Sequence, residues 1–285
     1  MVMIDVAAYR ASGVARLPAA FSNAEIAQMN AQIDRYVATE RYGVVTEADS
    51  AAVRAVHGLH LSDPFFAALC ADPRLTDAVT AILGEAIYVH QFKINMKAAH
   101  HGQSWPWHQD YIFWERLDGI ARPDLVNVAI CLSDITPASG PVVYLHGSHL
   151  LGNLCIKTDS AAMSDAQRAP QHISQRAPQR EPWQSDVGHD LTYQLPPGEL
   201  ESRLAHLPKD ADTGAAGDVT LFHPQLVHGS GRNVSPHDRR LLLITYNRLD
   251  NRPTSADAGA RPDFLCSRDF TPVALARHLD QTAEA

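Results

Sequence analysis

The sequence predicts a mainly β protein with flanking helices, of the jelly-roll or sandwich type. From residue 87 onwards, several short stretches rich in β-branched and aromatic residues are separated by turn signals such as Ser139-Gly140-Pro141, a pattern typical of sheets built from short strands. Before residue 87, apolar residues recur at helical spacing instead. With 285 residues the chain is within the size of one large β domain, so we expect a single domain over 1–285.

Three helices are expected before the first long strand. Ser22 or Asn23 offers a cap for a helix that runs to about Val37, and a short amphipathic segment over 6–17 precedes it. Two Asp-Pro pairs, at residues 63–64 and 72–73, begin the second and third helices, and the third ends at Leu83 before Gly84. We expect this helical region, about 20–84, to buttress a sheet.

The first long strand is predicted over Ile87 to Lys97 because its residues alternate between polar and apolar. One face carries Gln91, Lys93, Asn95 and Lys97, and the other carries Phe92, Ile94 and Met96. The polar face either meets solvent, as is usual in antiparallel sheets, or lines a polar cavity. Further strands are expected over 125–133, 141–145, 218–222 and 240–248, which completes a β core of about 87–248.

An insertion interrupts the predicted strands over about 159–190. It holds few large apolar residues and contains the sequence QRAPQ twice, at 167–171 and 175–179. Such a segment cannot bury enough surface to offset the entropy of ordering it, so we expect a mobile lid-like insertion. A short helix over Glu199 to Leu207 is expected to follow it, and the chain after Asp250 is expected to be loop with a final amphipathic turn or two.

Composition and charge exclude several classes of protein. The formal charge is -8, from 24 basic and 32 acidic residues, and no cluster of Lys and Arg is present, so we expect no nucleic-acid partner. No stretch approaches the ~18 apolar residues of a membrane span, and the first residues do not resemble a signal peptide. We therefore expect a cytoplasmic protein with no membrane contact. The four cysteines lack metal or disulfide spacing and are expected to be reduced thiols.

The most informative stretch is WPWHQDYIFW, at 105–114. If it were an extended strand, His108 and Asp110 would point to the same face and could bind one ion together. An imidazole and a carboxylate supply two members of the two-His, one-carboxylate set that leaves positions open on Fe(II) for oxygen chemistry. A short His-x-Asp motif is weak by itself, so the third ligand decides the interpretation.

His223 and His228 both qualify as the third ligand by residue type. We favour His228, because Gly229, Ser230 and Gly231 follow it and would let the backbone approach a cofactor. Arg239 lies eleven residues further on and could pair bidentately with a carboxylate. His223 is expected to be a hydrogen-bonded structural histidine.

Together these motifs resemble a known family. The combination of WHQD, SGP followed by LHGSH, and HGSGRN with a downstream arginine resembles the phytanoyl-CoA dioxygenase superfamily of Fe(II)- and 2-oxoglutarate-dependent oxygenases, over about 10–272. Within it, IYVHQFKIN, WHQDYIFW, Asp118-Gly119, LSD, GSH and LLLITYN are similar to bacterial hydroxylases of free amino acids, those of leucine more closely than those of ectoine.

The resemblance implies a double-stranded β-helix core of the jelly-roll, cupin-like type, with Fe(II), 2-oxoglutarate and O2 as cofactors and ascorbate helpful in vitro. It implies three groups of site residues: metal ligands, cofactor contacts and substrate contacts. These are, in that order, His108, Asp110 and His228; Arg239, Ser230, Asn95, Lys93 and Trp105; and Gln91, Trp114 and Phe113. The polar face of the first long strand would then line the cavity. The aromatics Trp105, Trp107, Phe113 and Trp114 either surround the reacting bond or form ordinary core.

The resemblance further implies hydroxylation of an unactivated C–H bond of a free L-amino acid, with a leucine-like substrate favoured and a natural-product pathway as the setting. Arg261 or Arg268 could bind the substrate carboxylate. The alternative substrates are basic or ureido amino acids such as lysine, arginine and citrulline, because one or two pocket residues decide such a preference. Two alternatives of another class, a non-oxygenase cupin-like metal-binding protein and a zinc hydrolase, stay open because the same ligands suit zinc.

Overall fold

The computed structural model describes residues 4–47, 50–158, 183, 186–188, 190–253 and 261–275. Its helices are α1 Val6–Ser12, α2 Asn23–Thr39, α3 Pro64–Leu69, α4 Pro73–Leu83 and α5 Tyr111–Leu117. Its strands are β1 Val14–Leu17, β2 Val44–Thr46, β3 Val53–His57, β4 Ile87–Lys97, β5 Trp105–His108, β6 Leu125–Cys131, β7 Val142–Leu145, β8 Ile156–Lys157, β9 Tyr193–Gln194, β10 Lys209–Ala211, β11 Val219–Phe222, β12 His228–Ser230 and β13 Arg239–Arg248.

The three predicted helices form as α2, α3 and α4: each begins at the predicted cap or Asp-Pro pair, α4 ends at Leu83 as expected, and α2 runs to Thr39, two residues beyond the expected end. Ser22 caps α2 and forms a capping box with Glu25. Asp63 and Asp72 accept hydrogen bonds from the first turns of α3 and α4, each of which has proline in its first turn. The short amphipathic segment at 6–17 is resolved into α1, closed by the left-handed Gly13, and β1.

Two antiparallel sheets form the core of the fold, in the double-stranded β-helix arrangement that the sequence implied. The larger sheet has the strand order β1-β11-β6-β13-β4-β3-β2, and the smaller has the order β10-β7-β12-β5. The long pair of β4 and β13 runs through the middle of the larger sheet, from Arg239 opposite Lys97 to Arg248 opposite Ile87. A cavity lies between the sheets, lined by β4 and β13 on one side and by β5, β7 and β12 on the other.

The main hydrophobic core lies on the other face of the larger sheet, under the helices. Ile33 of α2 and Val79 of α4 pack there with Phe92 and Ile94 of β4. Because successive side chains of a strand face opposite ways, this packing directs Gln91, Lys93 and Asn95 into the cavity. The polar face of β4 therefore lines the cavity and does not face bulk solvent.

The expected helix over Glu199 to Leu207 is wrong. The segment forms irregular turns, in which Ser202 donates to the carbonyl of Gly198 and Leu204 to that of Glu199. Leu204 is fully buried in a small apolar cluster that Leu200 and Leu207 also join. Nine residues are too few for a helix to be stable on its own, so packing of the leucines decides the backbone path.

The other expectations about loops and cysteines have mixed outcomes. Most of the predicted insertion lies outside the described residues, as does the expected final amphipathic turn; β8 and β9 pair with each other on either side of the insertion. Residues 261–275 form neither helix nor strand.

All four cysteines are free and buried. No helix in the described ranges is long and apolar enough to cross a membrane.

Candidate active site

Three side chains lie close together beside the end of β5 and the start of β12: those of His108, Asp110 and His228. His108 is the last residue of β5 and lies opposite His228, the first residue of β12. The Nε2 atoms of His108 and His228 lie 3.7 Å and 3.8 Å from the two carboxylate oxygens of Asp110. The potential ligand atoms all lie within 4.8 Å of one another, so one ion between them could contact all three.

The strand argument for the pairing of His108 and Asp110 is wrong, although the two side chains do converge. Asp110 has helical backbone angles (φ -68, ψ -37) and is the residue just before α5, so strand alternation does not apply to it. β5 ends at His108, and the chain turns directly into the helix. The turn of the backbone, and not a shared strand face, brings the carboxylate beside the imidazole.

Backbone carbonyls fix the tautomer of both histidines. The Nδ1 atom of His108 lies 2.7 Å from the carbonyl oxygen of Pro106, and that of His228 lies 2.9 Å from the carbonyl of Leu226. A carbonyl only accepts, so each Nδ1–H donates and each Nε2 keeps a lone pair for a metal. Burial, with His108 adding to it, lowers the pKa of His228 to about 3, which keeps this imidazole neutral, as metal binding requires.

Asp110 is held as a carboxylate by neighbours that the sequence reading had not connected to it. Asn127 donates from Nδ2 to Asp110 Oδ2 at 2.9 Å, and Thr245 in turn donates to Asn127 Oδ1 at 2.7 Å. The Lys93 ammonium lies 3.5 Å from the other carboxylate oxygen. Burial opposes ionisation, but the positive charge of Lys93 outweighs it and holds the pKa of Asp110 well below its usual range.

Arg239 and Ser230 lie together at one end of the cavity. The guanidinium of Arg239 is buried and donates one hydrogen bond, from Nη2 to the Gly140 carbonyl at 3.0 Å. Its Nε and Nη1 atoms, and Oδ1 of Asn95, have no partner among the described residues. Burial lowers the pKa of Arg239 to about 10, so it is still a cation at neutral pH. Buried unpaired donors on a cation fit a carboxylate ligand, as 2-oxoglutarate would supply.

Lys97 is a site residue that the sequence reading placed on the polar face without giving it a role. Its ammonium nitrogen lies 2.7 Å from the Ser230 hydroxyl and 3.4 Å from the Gly140 carbonyl, and it also contacts the Gly231 carbonyl. Burial, with Arg239 nearby, lowers the pKa of Lys97 to about 6. The alternation of β4 was the available signal, because it put Lys97 in line with Gln91, Lys93 and Asn95.

Of the four aromatics expected either around the reacting bond or in the core, three line the cavity. They are Trp105, Phe113 and Trp114. Trp107 packs elsewhere, in a cluster with Leu195 and Val227, so for this residue the ordinary-core interpretation is the one observed. The guanidinium of Arg54 lies over the Trp105 ring, 3.8 Å from its centre, which steadies that wall of the cavity.

Of the two arginines expected at the substrate carboxylate, one lines the cavity. Arg261 is buried there, with Nε 3.5 Å from Asp118 and Nη2 donating to the Leu265 carbonyl, which also accepts from Gln91. Arg268 lies outside the cavity: it is about half exposed, pairs with Asp263 and donates to the Arg261 carbonyl. Because Asp263 draws it outward, Arg268 does not fit the expected role.

Two acidic residues near Arg261 were not anticipated as parts of the site. Asp118 is fully buried behind the cavity wall, with His90 and Cys266 beside it. Asp186 lines the cavity itself. The group of His90, Asp118 and Cys266 has metal-binding residue types, but Arg261 already balances the Asp118 charge, so we interpret it as support for Arg261. His223 is a structural histidine, as expected: its Nδ1 accepts from the backbone N–H of Gln225.

The sequence of this chain is similar to those of known proteins over most of its length. The family model of phytanoyl-CoA dioxygenase (PhyH) matches residues 9–241. The chain is 39% identical to L-proline trans-4-hydroxylase of Streptomyces griseoviridis over 266 residues, 93% of this chain and 92% of that protein. It is 31% identical to the ectoine dioxygenase of Sphingopyxis alaskensis, over 81% of this chain and 70% of that one.

Solved structures of the same kind also superpose on the fold. EctD from S. alaskensis with bound Fe has a TM-score of 0.74 at 27% identity, covering 95% of this chain and 86% of that one. The complex of EctD with 2-oxoglutarate and 5-hydroxyectoine has a TM-score of 0.71 at 27% identity, covering 92% and 82%. The epimerase SnoN from nogalamycin biosynthesis, at 19% identity and a TM-score of 0.62 over 94% and 93%, shares the fold.

Proposed function

The chain belongs to the phytanoyl-CoA dioxygenase family, and on this premise we propose that it hydroxylates an unactivated C–H bond of a free, small aliphatic L-amino acid. It is an iron- and 2-oxoglutarate-dependent dioxygenase of the amino-acid-hydroxylating kind, so the cupin-like binding protein and the zinc hydrolase are not retained. The observation that carries the proposal is the cavity between the sheets, which has a three-ligand metal set, a carboxylate-binding end and the buried Arg261 in one wall.

In this proposal His108, Asp110 and His228 would hold the iron, as the two-His, one-carboxylate set of oxygenases does. Iron with 2-oxoglutarate and O2 supplies the oxidation: one oxygen atom enters the substrate as hydroxyl, the other enters succinate, and CO2 leaves. Asn127 and Lys93 keep Asp110 ionised and oriented. Imidazoles with fixed tautomers would complete the metal site.

We assign the distal carboxylate of 2-oxoglutarate to Arg239 and Ser230. Arg239 has two donor atoms without partners in the described chain, and a planar guanidinium binds a carboxylate bidentately. Asn95 and Lys93 line the wall between this end and the metal ligands and would contact the cosubstrate. Trp105 closes the same part of the cavity. The arrangement fixes the cosubstrate at both ends.

We assign the substrate to the opposite part of the cavity, where Arg261 would bind its carboxylate. Gln91, Phe113 and Trp114 line this part and exclude water from the reacting C–H bond. L-Proline is the first candidate, because the proline hydroxylase is 39% identical over 93% of the chain. L-Leucine, favoured by the sequence motifs, is the second, and basic or ureido amino acids follow. One or two pocket residues decide among such substrates.

The test is a panel of free amino acids with iron, 2-oxoglutarate, ascorbate and oxygen, read by mass spectrometry for a gain of one oxygen atom. We expect one small aliphatic amino acid to give a hydroxylated product in step with succinate. The variant His228→Ala is the negative control, because it removes a metal ligand. Absence of any hydroxylated amino acid from a wild-type enzyme that binds iron and 2-oxoglutarate would overturn the proposal.

The two arginines give a matched pair for the carboxylate assignment. Arg261→Ala should raise the KM for the amino acid about 100-fold, because a buried charge partner of the substrate is lost. Arg268→Ala, which removes a half-exposed arginine outside the cavity, should leave KM within about threefold. Equal KM values for the two variants would refute the role of Arg261.

A further inference from the structure

We propose that Asp186 binds the protonated amino group of the substrate, opposite Arg261, so that the cavity selects the zwitterion of a free amino acid. This inference rests on the proposed function and deepens it by naming a specificity residue. Among the described residues that line the cavity, Asp110 and Asp186 are the carboxylates. Asp110 belongs to the metal set, which leaves Asp186 as the acidic group available to a substrate.

Asp186 is held in place without being fully paired. The Thr192 hydroxyl donates to its Oδ1 at 2.8 Å, and Thr192 is the one side-chain donor to it in the described chain. At the next residue, Arg54 donates from Nε to the Val187 carbonyl at 3.3 Å. Arg54 also forms a buried ion pair with Glu47 at 3.0 Å. The carboxylate is therefore positioned by buried contacts, while its Oδ2 is free of hydrogen bonds from described residues.

Asp186 and Arg261 face the same space with opposite charges. Burial raises the pKa of Asp186, and the positive charge of Arg261 acts against that rise. The two side chains are thus close enough to influence each other, yet they form no ion pair among the described contacts. Nη1 of Arg261 is buried without an acceptor in the part of the chain that the structure describes. Arg261 therefore has a donor without an acceptor, and Asp186 has one carboxylate oxygen without a donor. Both side chains line the same cavity.

A free α-amino acid matches this pair of charges. Its carboxylate can accept from Arg261, and its protonated amine, primary or secondary, can donate to Asp186. Both groups are attached to one carbon, so satisfying both fixes the orientation of the side chain toward the metal ligands. An N-acylated amino acid or a simple carboxylic acid would cover the Asp186 carboxylate and leave its Oδ2 without a donor, which disfavours binding of that acid.

The experiment compares the best amino acid of the panel with its deamino analogue, in which hydrogen replaces a primary amine or CH2 replaces the ring N–H of proline. Binding of each is measured as a KM or as a competitive inhibition constant for wild type, Asp186→Asn, Asp186→Glu and Asp263→Asn. Asp263→Asn is the matched control, because Asp263 is about half exposed and lies outside the cavity. The KM for 2-oxoglutarate and the Tm of each variant report whether the metal and cosubstrate parts of the site are intact.

We expect the wild type to prefer the amino acid over the deamino acid by about 100-fold, and Asp186→Asn to reduce that preference at least tenfold. Asp186→Glu should keep part of the preference because it keeps the charge, and Asp263→Asn should keep all of it. The KM for 2-oxoglutarate should stay within about threefold throughout. An Asp186→Asn enzyme with the wild-type preference would overturn this inference alone, whereas a wild type that hydroxylates no amino acid would overturn the proposed function with it.

Discussion

The side-chain nitrogen of Lys97 lies 2.7 Å from the hydroxyl oxygen of Ser230, next to the buried guanidinium of Arg239. A protonated lysine has three donors and no acceptor, and Lys97 has three acceptors within reach: Ser230 and the carbonyls of Gly140 and Gly231. In its protonated form Lys97 therefore donates to Ser230. The hydroxyl hydrogen of Ser230 is then free to point at a carboxylate bound by Arg239.

Replacing Lys97 with methionine should weaken the binding of 2-oxoglutarate. The variant removes a positive charge and the hydrogen bond that orients Ser230, so we expect the KM for 2-oxoglutarate to rise about tenfold. The KM for the amino acid should change little, because we assign the two ligands to different parts of the cavity. Steady-state kinetics with each ligand varied in turn measure this. Lys209→Met, at an exposed position of β10, is the control, and an unchanged KM for 2-oxoglutarate in Lys97→Met would refute the role.

The same lysine predicts a pH dependence of cosubstrate binding. Burial lowers the pKa of Lys97 to about 6, so in the free enzyme it loses its proton as the pH rises through that value. A bound carboxylate favours the protonated form and raises this pKa, so binding takes up a proton. The KM for 2-oxoglutarate should therefore increase from about pH 6 to about pH 8 in the wild type. In Lys97→Met this increase should be absent; the same increase in both enzymes would assign it to another group.

Replacing Asn127 should change the affinity for the metal, although Asn127 is not one of the three proposed ligands. Its Nδ2 donates to Asp110 and its Oδ1 accepts from Thr245. Asn127→Leu keeps the size of the side chain but leaves one carboxylate oxygen without its donor. Such outer contacts change metal affinity by about 10- to 100-fold. Anaerobic titration with Fe(II) should show this loss, and Thr245→Val should show a smaller one. Wild-type affinity in Asn127→Leu would mean that Lys93 alone fixes Asp110.

The parts of the fold that depend on local chemistry could be predicted from the sequence. Ser22, one of the two caps that the sequence offered, caps α2 in the structure, and β4 has the predicted bounds because its alternation is read residue by residue. The motif around His108 pointed to the metal set, although its backbone was predicted incorrectly. A strand that ends and becomes a helix within two residues leaves no periodicity long enough to detect.

The contacts that connect distant parts of the chain could not be predicted. Arg261 meets Asp118, Lys97 meets Ser230, and Asp186 reaches the cavity next to Arg261. Each pair is far apart in sequence, and an aspartate or arginine in a loop looks the same there whether it is buried or solvated. The same reasoning explains why the prediction for Arg268 failed. An arginine suits a substrate carboxylate, but this one lies outside the cavity and pairs with Asp263.

Asp118 gives the last prediction, because it is a fully buried carboxylate behind the cavity wall. Its Oδ1 lies 3.5 Å from Nε of Arg261, and its Oδ2 lies 3.3 Å from Nε2 of His90, which packs edge-on against Trp114. Asp118 thus supports both Arg261 and Trp114. Asp118→Asn leaves the buried Arg261 cation without its counter-charge, and breaking such a pair costs about 3 kcal/mol or more.

We expect Asp118→Asn to lower the Tm by several degrees and to raise the KM for the amino acid about tenfold or more. The KM for 2-oxoglutarate should be unchanged in the folded fraction. Asp250→Asn is the control, since Asp250 forms exposed ion pairs with Arg122 and Arg248 that contribute little. A purely structural role would lower the Tm of Asp118→Asn with no change in KM. A rise in KM measured well below the Tm therefore identifies Asp118 as the residue that positions Arg261 for the substrate carboxylate.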